Sequence, residues 1–247
     1  MRRRFLADEI NGDTAALTGQ NARHLAQVLR ARVGQEFDIA ADGRVRLGKV
    51  VTVGEDRVEF HLGEEVAATE VAPITLLLAI FKFDRFEWAV EKATELGVTR
   101  IVPVVARRTE RHLAQSALKR VERWRRIAHE AAQQSRRTAA PEIADPIELK
   151  KAIGGESGLK IVCAESEDQR MLRDAVEGAQ GPVTLAIGPE GGWADEELKW
   201  FADARWQAVS LGETILRAET AVIAAVAVCS AEMMRGERGD SEPAHSS

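Results

Sequence analysis

Val183-Thr184-Leu185-Ala186-Ile187-Gly188-Pro189-Glu190-Gly191-Gly192-Trp193 is the stretch whose reading decides the fold. Gly181-Pro182 stops whatever precedes it, and Val183 to Ile187 then reads as a short buried strand. After the glycines, Asp195-Glu196-Glu197 opens an amphipathic helix to about Ala204, with its acids at the end a helix dipole favours. A glycine turn from strand to helix lets backbone N–H groups approach a ligand closely, since no Cβ intervenes. A second such loop follows at once. Val209-Ser210-Leu211 reads as a strand, Gly212-Glu213-Thr214 turns, and Ile215 to Thr220 leads into an apolar helix. Two glycine loops at the ends of successive strands imply one ligand held between them. The first loop has neither the lysine and Ser/Thr of a phosphate-binding P-loop nor the G-x-G-x-x-G dinucleotide spacing.

Working outward, the chain divides near Val66 to Pro73. Before it, strand signals dominate at Glu36 to Ala40, Arg44 to Val53 and Arg57 to Leu62, with Asp42-Gly43 as a hairpin turn and one helix at about Asn21 to Ala31. A small strand-rich unit of this kind closes into a barrel. From Ile74 onward strands and helices alternate. Ile74 to Ile80 is continuously apolar, as expected in a sheet covered on both faces. Asp84 and Glu87 form a capping box for a helix ending at Leu96, and Gly97 stops it. Further strands are expected at Ile101 to Val105, Leu159 to Ala164, Val183 to Ile187 and Val209 to Leu211. Helices are expected at Ser116 to Gln134, Asp168 to Val176, Asp195 to Ala204 and Thr220 to Met234. This is an α/β pattern with a mostly parallel sheet. The tail from Gly236 to Ser247 is polar and reads as disordered.

Composition narrows the class. The 247 residues carry a formal net charge of −5. Yet Lys119, Arg120, Arg123, Arg125, Arg126, Arg136 and Arg137 crowd one segment against only Glu122 and Glu130. Arg2 to Arg4 make a second cluster, and Arg23, Arg30 and Arg32 a third. Each reads either as a solvated face or as a phosphate-backbone footprint. Cys163 and Cys229 sit in apolar runs without C-x-x-C spacing and read as buried free thiols, which suits a reducing cytoplasm. No apolar signal region follows Met1, and the longest apolar run is too short to span a bilayer, so the expectation is a soluble, cytoplasmic protein. The five histidines lie singly and no metal-ligand cluster stands out.

Ile187 to Trp193 together with Leu211-Gly212-Glu213-Thr214-Ile215-Leu216-Arg217-Ala218-Glu219-Thr220-Ala221 closely resembles the RsmE family of 16S rRNA uridine-N3 methyltransferases, within the SPOUT superfamily. The resemblance runs from about Arg2 to Met234. It is carried also by Arg4-Phe5, His24-Leu25, Val28 to Arg30, Glu87-Trp88, Lys92 to Val98, Gln134-Ser135, Arg137 and Pro141 to Ile143. It implies a PUA-like β-barrel over 1–70 that holds RNA, and a SPOUT-type α/β domain over 73–235 with a deep trefoil knot. It also implies a homodimer, and the apolar helix after Thr220 reads either as core within the monomer or as the subunit interface. The implied chemistry is transfer of a methyl group from S-adenosylmethionine to N3 of a specific uridine in 16S rRNA, on naked rRNA or the assembled 30S subunit, without metal.

The resemblance places the cofactor against Gly188, Glu190, Gly191, Gly192, Leu211, Gly212, Ile215 and Leu216, with Ala164-Glu165 as a looser third wall. Arg217 is the first catalytic choice, because a guanidinium stabilises charge spreading onto O2 and O4 of a deprotonated uracil. It also reads as a surface arginine. Glu190 orients substrate, balances a sulfonium, or simply faces solvent; Glu219 is catalytic or a helix-start acid. The general base stays unassigned between carboxylate and water-mediated routes. Arg4, Arg23, Arg30, Lys92 and Arg137 are the RNA-contact choices, each open to reading as a solvated charge or salt-bridge partner. Lys82-Phe83 departs from the family's usual Lys-Gly, so Phe83 either alters the start of the following helix or packs on a neighbour. Two other readings stay open: a SPOUT methyltransferase for another RNA site, and a non-catalytic RNA-binding protein of ribosome assembly.

Overall fold

The computed structural model describes residues 3–41, 43–66, 73–155 and 158–239. They form two compact units, one within Met1–Glu70 and His129–Ala140, the other within Val71–Ala128 and Pro141–Ser247. The expected boundary at Val66 to Pro73 falls mostly on residues 67–72, which lie outside the described ones.

The first unit begins with β1 (Arg4–Leu6), β2 (Glu9–Asn11) and β3 (Thr14–Thr18), then α1 (Gly19–Arg23), β4 (Glu36–Ala41), β5 (Arg44–Val53) and β6 (Arg57–Glu65). The sheet order is β1-β4-β5-β6-β3-β2. β1 runs parallel to β4, while β2 pairs antiparallel with β3. Between them Ala7 donates to Ala40 and Asp8 to Ala16, both at 2.9 Å, so one bent N-terminal segment ties the sheet's two edges into a barrel. Its core is Leu25, Phe37, Ile39, Val50, Val58 and Phe60, with the Phe37 ring edge-on to Phe60 at 6.3 Å. Gly43 turns the β4–β5 hairpin at φ +78°, the left-handed geometry that a two-residue turn requires; Asp42 lies outside the described residues. The helix expected to Ala31 is shorter. α1 widens into a π-helical turn at His24–Val28, and Arg30 at φ +51° ends it.

The second unit comprises β7 (Ile74–Ala79), α2 (Phe83–Glu95), β8 (Arg100–Val105), α3 (Arg111–Ser116), α4 (Val121–Gln134) as far as Ala128, β9 (Glu142–Ile143), β10 (Ile147–Glu148) and α5 (Leu149–Ala152). It continues with β11 (Leu159–Cys163), α6 (Leu172–Val176), β12 (Val183–Ile187), α7 (Asp195–Asp203), β13 (Gln207–Val209) and α8 (Ala218–Gly239). Every pairing is parallel, in the order β10-β8-β7-β12-β11-β13, with β9 also on β8. Alternate side chains of β7 enter opposite cores. Leu76 and Leu78 join Phe86, Trp124 and Val222, while Leu77 and Ala79 join Trp193 and Phe201. Burial on both faces is why this strand reads as an unbroken apolar run.

Several local expectations are corrected. Asp84 and Glu87 form no capping box: α2 starts at Phe83, and Glu87 instead takes Arg123 at 2.7 Å. Gly97 does stop the helix, at φ +105°, with Gly97 N bonded to Thr94 O and Val98 N to Ala93 O. The single helix expected over Ser116 to Gln134 is broken, because the Ser116 hydroxyl donates back to the His112 carbonyl and a 3₁₀ turn intervenes at Ala117–Arg120. α6 starts only at Leu172, since the Glu167 carboxylate captures the N–H groups of Gln169 and Arg170. The last strand is Gln207–Val209 rather than Val209 to Leu211, with Ser210 kept only as a bridge to Met171. α8 runs to Gly239, past the expected start of the polar tail; 240–247 lie outside the described residues. Among the described residues no helix is long and apolar enough to cross a membrane.

Candidate functional site

The sheet order puts β11 between β12 and β13, so the loops leaving their carboxyl ends meet. They wall a cleft of about 560 Å³. Cys163 to Ser166 supply one wall, Ile187 to Glu190 with Gly192 and Trp193 the second, and Ser210 to Ala218 the third. Ligands of open α/β sheets sit at this end, and the volume is in the range that holds a small organic ligand.

Each wall is fixed by its own sequence. Trp193, only 6% exposed, donates its indole N–H to the Cys163 carbonyl at 3.0 Å and so pins the second loop to the first. A Cβ on Gly188 would lie 3.2 Å from that indole. Gly192 at φ +69° and Gly212 at φ +132° hold conformations that L residues rarely adopt. Gly191 stands apart from the wall: its carbonyl accepts from Arg108, which reaches over from the turn after β8. Glu197 is fully buried and accepts from Ala194 N and Arg107 N, both at 2.8 Å, tying the start of α7 to that same turn. Burial pushes the Cys229 thiol up to about 12 and raises Cys163 as well.

The structure thus brings Ala164, Glu165, Gly188, Glu190, Gly192, Leu211, Gly212, Ile215, Leu216 and Arg217 to one cleft, with Gly191 just behind it. Arg217 is exposed and forms no ion pair among the described residues. Glu219 differs: it is 7% exposed, lies off the cleft wall, and its Oε2 accepts from no donor among the described residues. Two arginines that periodicity does not flag also line the cleft, Arg85 from α2 and Arg108. Arg85 donates to Glu190 at 2.9 Å, and its Nε lies 3.7 Å from Glu219 Oε1. The turn signal at Lys82-Phe83, two residues upstream, is the nearest sequence pointer to Arg85. Phe83 packs on a neighbour, 6.0 Å from the Trp124 ring, with the Arg120 guanidinium over its own ring at 4.9 Å.

The basic residues lie elsewhere, and many are engaged. Arg23 pairs with Asp56 at 3.1 Å, and Lys92 spans Glu91 and Glu95 at 2.7 and 2.8 Å. Arg4 reaches the Arg136 carbonyl at 3.4 Å, and burial lowers the Arg137 guanidinium from its ordinary range. Arg30 is exposed. Within the central cluster Arg120 and Arg123 converge on Glu87, and Arg125 takes Glu122, Asp145 and the Ile143 carbonyl. That cluster is therefore in part an internal ion-pair network, which composition alone does not reveal.

Parallel-strand ends share one glycine-walled cleft, joined in sequence to a small barrel, and with this architecture two family models place the chain in the RNA methyltransferase class. The family model for the RNA methyltransferase domain matches residues 68–230, and that for the RNA methyltransferase PUA domain matches residues 17–62. Ribosomal RNA small subunit methyltransferase E of Synechocystis sp. is 33% identical over 89% of this chain and 74% of its own, and its Rickettsia conorii counterpart 29% over 88% and 89%. The crystal structure of ribosomal RNA small subunit methyltransferase E from Neisseria gonorrhoeae bound to S-adenosyl methionine superposes with a TM-score of 0.78 at 29% identity, over 92% of this chain and 96% of that one. A putative methyltransferase from Legionella pneumophila in complex with SAM gives 0.77 at 26%, over 94% and 98%. The chain belongs to the ribosomal RNA small subunit methyltransferase E family.

Proposed function

We propose that this chain binds S-adenosylmethionine in the cleft and transfers its methyl group to N3 of a uridine in 16S rRNA. The observation that carries the reading is the convergence of three strand-end loops on one cleft of nucleoside size, with Gly192 and Gly212 held at positive φ. The residues present fit the cofactor: a Cβ at Gly212 would point into open space beside the wall, where the ligand's body would lie. When bound, S-adenosylmethionine supplies a sulfonium-activated methyl group. The chain's own part is positioning and charge. The backbone of Gly188 to Gly192 and Leu211 to Leu216 holds the ligand. Arg217, unpaired at the mouth, faces charge that develops on the uracil oxygens as the N3 proton leaves. Glu190 lines the cleft beside Glu165, Asp195 and Glu213, and the N3 proton passes to a carboxylate or to water.

The wider assignments extend the same reading. Residues 1–70 act as the RNA-holding unit and 73–235 as the methyltransferase unit, knotted where the loops after β11, β12 and β13 pass one another. α8 buries Ala218, Val222, Ala225, Val226 and Cys229 in its own unit, yet Ile223, Ala224 and Ala227 stay half-exposed. A second apolar stripe on one helix supports a homodimer. The enzyme works in the cytoplasm, on the assembled 30S subunit, with Arg4, Arg23, Arg30, Lys92 and Arg137 as its phosphate contacts. Calorimetric titration with S-adenosylmethionine, followed by methylation of 30S subunits and of naked 16S rRNA with base mapping, tests the reading. Saturable binding and a methyl group on uridine N3 are expected; absence of cofactor binding by the folded protein overturns it.

A further inference from the structure

The geometry points to Arg85 as the positioning residue of this cleft, a guanidinium that acts on the reaction by fixing the Glu190 carboxylate and is itself fixed by Glu219. This rests on the methyltransferase reading above and adds a role to a residue that reading does not use.

Three elements far apart in sequence meet here: the first turn of α2, the loop after β12 and the first turn of α8. Arg85 Nη1 donates to Glu190 Oε1 at 2.9 Å, and Arg85 Nε faces Glu219 Oε1 at 3.7 Å. Exposure is nearly the same at Glu190 and Arg85 and falls at Glu219. Glu190 is 35% exposed, Arg85 33% and Glu219 10%. Only Arg85 and Glu190 line the cleft, and Glu219 lies behind them.

That difference assigns the roles. Among the described residues no donor meets the buried Glu219 Oε2, so this carboxylate is held by the positive end of α8 and by Arg85, and it lies off the cleft wall. Its use is to anchor the guanidinium from the rear. A planar guanidinium with donors on two edges can face both carboxylates at once, whereas an ammonium presents a single point charge. The front edge then sets where the Glu190 oxygens stand. Glu190 follows Pro189 in a glycine-flanked loop and has no other side-chain partner among the described residues, so without Arg85 its carboxylate is free to turn to solvent.

A double-mutant cycle on methyl transfer tests this, using Arg85→Gln, Glu190→Gln and the pair. Arg85→Gln lowers kcat by about tenfold in the wild-type background and by less than about twofold once Glu190 is already Gln, the pattern of two residues acting as one unit. The Michaelis constant for 30S subunits stays unchanged in all three. Arg85→Lys restores less than half of the lost rate. If removing Glu219's partner unfolds the protein, Arg85→Gln with Glu219→Gln removes the stranded buried charge as well, and the cycle is repeated on that background. Equal losses in both backgrounds, or a raised Michaelis constant for the subunit, overturn the proposal and make Arg85 a direct RNA contact. Cofactor titration of the wild-type protein separates the two levels: no binding there defeats the methyltransferase reading, whereas binding and activity with an additive cycle defeat only the role of Arg85.

Discussion

Gly188 and Trp193 face each other so closely that a Cβ on the glycine would sit 3.2 Å from the indole ring. The indole cannot retreat, because it is hydrogen-bonded to Cys163 O and lies edge-on to Phe201 at 5.0 Å. Gly188→Ala is therefore expected to destabilise the protein by about 1–3 kcal/mol through overpacking. Thermal unfolding should fall by about 2–4 °C for each kcal/mol. An unchanged melting temperature would mean that the ring moves aside at no cost.

The glycines of the cleft rank in a definite order. Gly212 at φ +132° has open space around its missing Cβ, so a side chain there meets backbone strain and intrudes on the ligand. Gly191 has no such φ, and its Cβ would meet the Arg108 side chain at 3.4 Å, a contact that a flexible arginine accommodates. Titration of Gly212→Val should show loss of S-adenosylmethionine binding by about tenfold or more, from about 1–3 kcal/mol of strain plus the clash. Gly191→Ala should bind within a few-fold of wild type. The reverse order would place the ligand on the other side of the loop.

Glu197 holds two backbone donors from elements about ninety positions apart in the chain, Arg107 N and Ala194 N. Glu197→Ala removes the acceptor from both part-buried N–H groups, at about 0.5–1.5 kcal/mol each. Glu197→Gln keeps one acceptor oxygen and should lose about half as much in urea denaturation. Since the same turn carries Arg108, whose guanidinium braces the Gly191 carbonyl, cofactor affinity is expected to weaken in parallel with stability. Weaker stability with untouched affinity would show that the brace works independently of Glu197.

What sequence reveals here, and what it hides, follows from range. The strands Arg44–Val53 and Val183–Ile187 were readable to the residue, because alternation or an apolar run ended in turn residues is a local signal. The cleft glycines were readable for the same reason. Arg85 was not, since its place opposite Glu190 depends on β7 lying beside β12, and strand order leaves no periodic trace. The capture of Arg120 and Arg123 by Glu87 was equally hidden: a run of like charges on α4 gives no notice of an acid on α2. The shortened α6 and the divided helix before α4 failed for a third reason. There Glu167 and Ser116 bond to the backbone and compete with the helix.

The thiols predict a pH dependence with a fixed sign. Burial raises Cys229 to about 12 and Cys163 upward too, so both keep their protons in the folded state at pH values where the unfolded thiols ionise. Stability from this source is complete below about pH 8.5 and is lost as pH rises towards the folded values, by up to about 1.4 kcal/mol per pH unit for each thiol. The chain has no tyrosine, which removes one competing titration from that window. Denaturation midpoints between pH 8 and 11 should fall, and Cys229→Ala should flatten the slope. At pH 8 the Cys229 thiol should not react with a disulfide reagent until the protein is unfolded.

Arg217 offers the sharpest separation of binding from chemistry. Its side chain lines the cleft, is exposed and forms no ion pair among the described residues, while its carbonyl accepts Ala221 N at 2.8 Å as α8 begins. Substitution leaves that backbone bond intact, so Arg217→Ala should fold as wild type does. Loss of a donor aimed at developing charge costs about 10²–10³ in rate. Single-turnover methylation of 30S subunits should fall by that amount, with S-adenosylmethionine affinity unchanged in calorimetry. Arg217→Lys should recover only part of the rate, because an ammonium keeps the charge but loses the paired hydrogen bonds that a guanidinium makes to a planar anion. A parallel loss of cofactor affinity would move Arg217 from the uracil to the cofactor and leave the anion to be stabilised by another group at the cleft, which Arg108 also lines.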